Sequence, residues 1–411
     1  MTNHMNGKNL ETIQNMNRAL IIKLLLRGKY RTRIALAHAS GLKRATISNI
    51  IDDFIKWGLV KEVGNISGKK GRRSIALELN TRHYLTICSR IDRGSVSFGI
   101  FDMGANCLDG IQKIRTESMP PREVVNIIVE HITGLIDTIE KSKIGKLIGI
   151  GFAVPGPYIQ RSGEFVVLSH APEWNKFDLR DEISKHFSIP VFFEHDANCA
   201  ALAEWWYGDC SAKYSSLLFL CAGYGIGAGI IENGQILSGA LGIAGEVGHM
   251  SINFSGSLCE CGSKGCWELY ASAYALIKEV KRLMDKGMPT SLDPGVLSVE
   301  NIIDAINNGD PLAQKAFERI SWALGFGIVN LVNIYNPEII FIGDVLSRTG
   351  QRLLNIVYDV VREHLPQKVY SALKIELSHF TKEDFTLHGA NAMIFDNILN
   401  DVRLVTIFCR E

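Results

Sequence analysis

The amino-acid sequence predicts an α/β protein in two parts, an N-terminal winged helix-turn-helix and a larger body of two lobes around a cleft. Three observations predict it. Charge is split along the chain: residues 1–80 carry 15 Lys and Arg against 5 Asp and Glu, whereas the remaining 331 carry 29 basic and 38 acidic residues, so a net of +1 hides a basic head on an acidic body. The head alternates helical periodicity with a Gly-containing turn and ends in a cationic hairpin. From Tyr84 onward, apolar β-rich runs alternate with amphipathic helical ones in two rounds. We assign residues 1–80 to the head and 81–411 to the body, with lobes over roughly 81–200 plus the C-terminal helix and 201–385.

Composition bounds the rest. A hydrophobic share of 46% and a charged share of 21% describe a globular chain with room for two or three cores. No apolar run reaches the length of a membrane span, and the opening MTNHMNGKNLETIQ lacks the apolar block of a signal peptide. Nine Cys, an odd number with three in one cluster, do not form a disulfide framework, and a cytoplasmic location is expected.

Within the head, "NLETIQNMNRALIIKLLLRGK" places Ile13, Met16, Leu20, Ile21, Leu24 and Leu25 at helical spacing and stops at Gly28. In the next stretch Ala37 is small enough for a helix crossing and Gly41 supplies a turn. Ile47, Ile50, Ile51 and Phe54 then form the buried stripe of a second helix. The outward face of that helix would carry Lys43, Arg44, Thr46, Ser48 and Asn49, donors for phosphates and base edges in a major groove. "SGKKGRRS" then brings Lys69, Lys70, Arg72 and Arg73 to the tip of a hairpin wing able to follow a DNA backbone. Double-stranded DNA is the expected partner, because a polyanion is what such a head matches.

In the body, "YLTICSR" and "SVSFGIFD" read as strands and "PREVVNIIVEHITGLIDTIEK" as an amphipathic helix. "LIGIGFAVPGPY" reads as a buried strand ending in a Pro-Gly turn. "IPVFFEHDANCAALAEWWYG" runs from strand to helix with Asp196 at the join, "SSLLFLCAGYGIGAGIIENGQIL" sets a Gly-rich turn between strands, and "ALGFGIVNLVNIYNPEIIFIGDVL" is a helix followed by a buried strand.

The densest chemistry is "GEVGHMSINFSGSLCECGSKGCWELY". His249, Cys259, Cys261 and Cys266 supply the four donors of tetrahedral zinc, and Gly262 and Gly265 permit the tight turns that three converging thiolates need. Buried cysteines beside a satisfied core histidine are the bland alternative. A site closed at four protein ligands is structural and leaves no position for a hydrolytic water. Glu246 and Glu268 bracket the cluster. Carboxylates and an imidazole held rigidly by a metal knot are good acceptors for vicinal hydroxyls. Trp174 in "APEWNKFD" is either an apolar platform for a sugar face or, more commonly, core.

These residues together resemble a family. The C-x-C-G-x-x-G-C-x-E knot with its preceding E-x-G-H, the E-H-D-A-N segment, the G-Y-G-I-G-A-G turn and the G-x-x-x-P-G turn are similar to those of the ROK family of repressors, open reading frames and sugar kinases. The resemblance covers the whole chain, since the repressor branch carries a winged helix-turn-helix before a kinase-like body, and "CWELYAS" resembles the xylose-repressor group. It implies a duplicated actin- or hexokinase-like (ribonuclease H-like) fold and homodimers or higher oligomers. Carried over, Glu246, His249 and Glu268 match the family's sugar contacts, Asp196 matches the catalytic base of its kinases, and His195 stands where kinases have Asn.

Against the kinase pattern the phosphate loops depart. Family kinases open the body with D-x-G-G-T. Here "IDRGSVSFGIFD" keeps Asp92 and Gly94 but loses the second Gly and the Thr and is two residues short. Tyr224 stands where kinases usually have Thr, and a later Gly triplet has become Gly343-Asp344-Val345, putting a carboxylate where phosphates would lie. The expected function is therefore a sugar-responsive repressor of carbohydrate genes, such as those for xylose, rather than an enzyme. An ATP-dependent sugar kinase with an appended DNA-binding domain is the alternative.

Overall fold

The computed structural model of the chain describes residues 10–67, 73–92, 94–159, 162–165, 174, 177–208, 210–380, 384–401 and 403–409. It separates into two compact units. One comprises the chain to Phe152 with Ile183–Phe192 and Ala390 onward; the other comprises Ala153–Glu182 and Phe193–Gly389.

The first unit begins with helices α1 (Leu10–Leu26), α2 (Arg33–Ser40) and α3 (Arg44–Lys56), followed by the antiparallel pair β1 (Val60–Ser67) and β2 (Arg73–Leu79). Thr32 caps α2 by accepting from the Ala35 N–H, and Gly41 ends it in the left-handed region at φ 70°. The α3 stripe is buried as its spacing predicts, with Ile47, Ile51 and Phe54 fully enclosed. α1 forms where the spacing predicts it, but not all of its apolar residues pack. Ile21, Leu24 and Leu25 are buried together with Ala19 and Ile22, but Ile13, Met16 and Leu20 are exposed. The apolar content of α1 wraps further around the helix than the packed face does, so periodicity alone picks too wide a stripe.

Two of the head's cations are spent internally. Arg18 Nη2 reaches Asp53 Oδ2 at 2.9 Å with its guanidinium 5.1 Å from the Trp57 ring centre, and Arg33 bridges Asp52 and Glu62. They fasten α1 to α3 and α2 to β1. The C-terminal stretch also meets the head, Lys23 Nζ donating to Asn400 Oδ1 at 2.6 Å, and it meets the start of the body, where the Tyr84 hydroxyl donates to the Phe408 carbonyl at 3.1 Å.

The rest of this unit is built on a five-stranded sheet. Its strands are β3 (Tyr84–Asp92), β4 (Ser95–Asp102), β5 (Gln112–Arg115), β6 (Lys146–Val154) and β9 (Val191–His195). α4 (Pro121–Ser142) precedes β6; the two-residue strands β7 (Tyr158–Ile159) and β8 (Glu164–Phe165) and the short α5 (Leu179–Ser184) lie between β6 and β9. The order in space is β5-β4-β3-β6-β9. β3 and β4 pair antiparallel, with Asp92 facing Ser95 in register.

The second unit repeats the plan. After α6 (Asp196–Tyr207) come β10 (Ser216–Ala222), β11 (Ile226–Glu232), β12 (Gln235–Ile236), α7 (Glu268–Ala271), α8 (Ala273–Asp285), α9 (Val299–Asn307) and α10 (Pro311–Tyr335). β13 (Ile339–Gly343), α11 (Gln351–His364), α12 (Gln367–Ala372), β14 (Lys374–Leu377) and α13 (Phe385–Asn400) complete it, α13 running into the first unit at Ala390. The sheet order β12-β11-β10-β13-β14 is the same as in the first unit when each sheet's strands are counted in chain order. In this sheet the first three strands are antiparallel and β13 and β14 join parallel. The repetition is the duplicated architecture that the resemblance implies. Among the described residues no helix is long and apolar enough to cross a membrane.

Candidate functional site

Five side chains from three stretches of the second unit form a continuous polar chain. β9 ends at His195 and α6 starts at Asp196, so the strand-to-helix junction presents both. His195 Nε2 lies 3.5 Å from Asp196 Oδ1 and 3.4 Å from Glu246 Oε1. Glu246 immediately precedes the single 3-10 turn Val247–His249, which puts Glu246 and His249 on one side, with Glu246 Oε2 3.9 Å from His249 Nε2. His249 Nδ1 in turn lies 3.4 Å from Glu268 Oε1, the first residue of α7.

Burial holds the Glu246 carboxyl above the usual carboxylate range, against the attraction of His195 and His249. Gly156 leaves room for this junction: a Cβ there would stand 2.1 Å from His195 Nε2 and 2.2 Å from Glu246 Oε1. The Pro-Gly turn predicted from "AVPGPY" thus lies directly on the site.

The donor cluster adjoins this chain. One ligand atom each from His249, Cys259, Cys261 and Cys266 falls within 4.8 Å of all the others. Cys261 and Cys266 sulfurs are 3.5 Å apart, and Cys259 Sγ is 3.8 Å from His249 Nδ1. Tetrahedral zinc with bonds of about 2.0–2.3 Å has ligand–ligand edges of about 3.4–3.8 Å, and no disulfide has sulfurs this far apart. The residues present fit such an ion. Burial pushes the Cys259 thiol up to about 12 and raises Cys266 as well, so thiolates here require a cation to balance them.

The two nitrogens of His249 face different groups: Nδ1 lies 3.4 Å from Glu268 Oε1 and 3.8 Å from Cys259 Sγ, and Nε2 lies 3.9 Å from Glu246 Oε2. Glu268 is nearer the knot than its position in the sequence suggests, since Cys259 Sγ lies 3.4 Å from its Oε1.

The knot is shaped by backbone. Cys259 N–H donates to Ser263 O at 2.7 Å and Gly262 N–H to Cys259 O at 2.9 Å, closing a turn around the sulfurs. Gly265 sits at φ 67° with no room for a Cβ, which would meet the Asn253 carbonyl oxygen at 1.7 Å. Sequence reasoning missed the piece beneath. Trp267, between ligand Cys266 and Glu268, is fully buried, and its indole N–H donates to the Ala323 carbonyl of α10 at 2.8 Å. Gly327 is the notch that receives it: a Cβ there would lie 1.8 Å from the indole Cε2. The signal was visible as two glycines in the helical run "ALGFGIVN", unusual in a helix interior.

Gly327→Ala should therefore be destabilising. Ala gains about 1 kcal/mol of helix propensity over Gly, but forcing a rigid ring off helix backbone costs about 1–3 kcal/mol or more. Urea unfolding should show a lower midpoint, and bound metal should fall with it. A variant as stable as the parent would mean that Trp267 is not locked by α10.

The loops compared above with the kinase pattern are closely packed. The Gly223–Gly225 turn joins β10 to β11, and a Cβ on Gly223 would meet Asp344 Oδ2 at 2.0 Å. Asp344 lies just beyond β13 and accepts from the Val345 N–H at 2.6 Å. The Gly343-Asp344-Val345 carboxylate thus stands against the Gly-rich turn. In the other unit Gly94 packs on Glu117, whose Cγ would be 2.5 Å from an added Cβ. Trp174 is core: it is 8% exposed and meets Phe165 and Phe177 edge-on.

On the head, Lys43, Arg44 and Asn49 are exposed and Thr46 and Ser48 half-buried on one side of α3, whose other side is the Ile47–Phe54 stripe. Lys69, Lys70 and Arg72 lie outside the described residues. Arg73 opens β2, opposite Ser67.

A basic helical head joined to a duplicated α/β body defines a class, the kinase-like proteins of actin and hexokinase architecture. The ROK family model matches residues 91–396, and the chain belongs to the ROK family. It is 33% identical over 408 residues to the xylose repressor of Caldicellulosiruptor bescii, covering 94% of this chain and 97% of that one. It is 28% identical over 401 residues to the transcriptional dual regulator NagC of Escherichia coli, covering 96% of each. Among solved structures, a ROK family transcriptional regulator homologous to the E. coli Mlc protein superposes with a TM-score of 0.80 at 26% identity, over 96% of this chain and all of the other.

Proposed function

We propose that this protein is a DNA-binding transcriptional repressor of carbohydrate-utilisation genes, relieved when a free monosaccharide binds His195, Asp196, Glu246, His249 and Glu268 beside a structural zinc on His249, Cys259, Cys261 and Cys266. The observation that carries the reading is the unbroken run of contacts from Asp196 through His195, Glu246 and His249 to Glu268 and Cys259. These groups are acceptors and imidazoles, suited to hydroxyls. No Lys or Arg belongs to the run, so a sugar phosphate is disfavoured. Similarity to named repressors extends over head and body alike, which supports the same division of labour. A lean towards a pentose such as xylose rests on those relatives.

Three features argue against phosphoryl transfer. The carboxylate of Asp344 abuts the turn that would cradle phosphates, Tyr224 puts a bulky ring where kinases usually have Thr, and the segment after Asp92 is two residues short of the kinase pattern. Asp196 holds the place of a catalytic base with nothing to deprotonate for.

The head acts as a winged helix-turn-helix, α3 entering the major groove and the hairpin of β1 and β2 forming the wing, on a palindromic operator bound by a homodimer or higher oligomer. Arg44→Ala should cost about 1–3 kcal/mol of operator affinity if that side chain reads a base. Neutralising Lys69, Lys70, Arg72 and Arg73 together should weaken binding on every sequence and flatten its salt dependence. Electrophoretic or anisotropy titrations at several salt concentrations measure both, and an unchanged salt slope would remove the wing from the interface.

Operator binding titrated against free and phosphorylated sugars tests the whole proposal, because only a ligand with unequal affinity for the DNA-competent and incompetent states shifts the balance. Response to a sugar phosphate alone would overturn the pocket, and ATP consumption with any sugar would restore the kinase.

A further inference from the structure

Beyond Glu268 the second unit continues into a group of side chains to which the proposed sugar site gives no role. A Cβ on Gly225 would stand 3.5 Å from Glu268 Oε2, so the Gly223–Gly225 turn adjoins that carboxylate. On the far side of the same turn Gly223 abuts the Asp344 carboxylate. Between the two glycines Tyr224 is 40% exposed, and its ring centre lies 5.1 Å from that of Tyr274, which is 46% exposed.

Tyr274 is on the first turn of α8. The start of that helix is tied to the turn by the Ala273 N–H donating to Gly223 O at 2.8 Å, and to α7 by the Ser272 N–H donating to Glu268 O at 3.2 Å. The two rings are therefore fixed with respect to Glu268 by short stretches of hydrogen-bonded backbone. Both rings are part-exposed rather than buried in the core.

We propose that Tyr224, Tyr274 and Asp344 form a second saccharide subsite adjoining Glu268, so that the unit accepts a neutral sugar of two linked rings more tightly than a single one. The inference rests on the proposed role of Glu246, His249 and Glu268 as acceptors of sugar hydroxyls and extends it by one ring. The chemistry fits. The face of a tyrosine is an apolar surface with a polar tip, suited to the C–H face of a pyranose with hydroxyls at its rim. Asp344 accepts from such hydroxyls and repels phosphate, so neither a nucleotide nor a sugar phosphate matches the site. The positions at which this chain departs from the kinase pattern, Tyr224 and Asp344, are the ones that supply the new groups.

The test is titration calorimetry on the full-length, zinc-loaded protein with three pairs of probes: xylose and β-1,4-xylobiose, glucose and cellobiose, N-acetylglucosamine and chitobiose. Adenine serves as a flat ring that brings no sugar to the first subsite. In at least one pair the disaccharide should bind about tenfold or more tighter than its own monosaccharide. Tyr224→Ala and Tyr274→Ala should each bring that ratio close to one, and Tyr224→Phe, which keeps the ring, should retain most of it. Glu268→Gln should weaken both members of the pair together.

A monosaccharide that binds as well as its disaccharide, and is weakened by Glu268→Gln, overturns the second subsite and leaves the first standing. So does a disaccharide preference that survives both alanine variants, or adenine displacing the disaccharide. Monosaccharide binding indifferent to Glu268→Gln, or no binding by any probe, overturns the first subsite and with it this extension.

Discussion

Cys261→Ser should strip the protein of most of its zinc and abolish the response of DNA binding to sugar, while leaving operator affinity without sugar largely in place. Cys261 is the exposed member of the four donors, whereas Cys259 and Cys266 are buried, so a serine there disturbs little packing and the effect reads the metal. Without the ion, buried thiols with raised pKa values stay protonated and have no reason to converge, and the turn from Cys259 to Gly265 loses its centre. The His249–Glu268 end of the proposed sugar site then loosens, because His249 is itself one of the four donors and Glu268 follows donor Cys266 by two residues. Elemental analysis should find about one zinc per wild-type chain and far less in the variant. Carefully purified wild-type protein without zinc would end the proposal.

Glu268→Gln should weaken sugar binding by about one to two orders of magnitude, the scale of replacing a charge-assisted hydrogen bond by a neutral one and leaving a hydroxyl poorly matched. The substitution keeps shape and volume, so the knot should keep its metal. The Cys259 thiol at 3.4 Å from Oε1 is a further contact by which this can be checked, since zinc content of the variant should equal that of the parent. Calorimetry with free sugar and operator binding without it should separate the two effects. Normal response to free sugar in this variant would remove Glu268 from the pocket.

Much of the architecture was legible because burial imposes periodicity. The α3 stripe, the helix over Pro121–Ser142, the β9–α6 junction at Asp196 and the β10–β11 turn all lie where spacing and Gly placement put them. The donor set was legible because Cys and His at such density have few other uses. What spacing cannot report is which of several apolar residues faces a partner, hence the exposure of Ile13, Met16 and Leu20, and which charges are already paired, as Arg18 and Arg33 are. The orientation of the His249 ring was hidden for the same reason. A one-letter code names the imidazole, but only the fold decides which nitrogen meets which neighbour. The seat of Trp267 on α10 joins residues sixty positions apart, a distance over which local pattern carries no information.

That seat also constrains how the protein can change. A smaller residue at position 267 leaves an empty volume under the donor knot, and a larger one at position 327 has nowhere to go until the indole has left. Each substitution alone is harmful, so drift at either position must wait for the other. The pair is an epistatic lock: relatives that retain a tryptophan after the last cysteine of the knot should retain a glycine at the facing position of the long helix, and those that have lost one should have lost both.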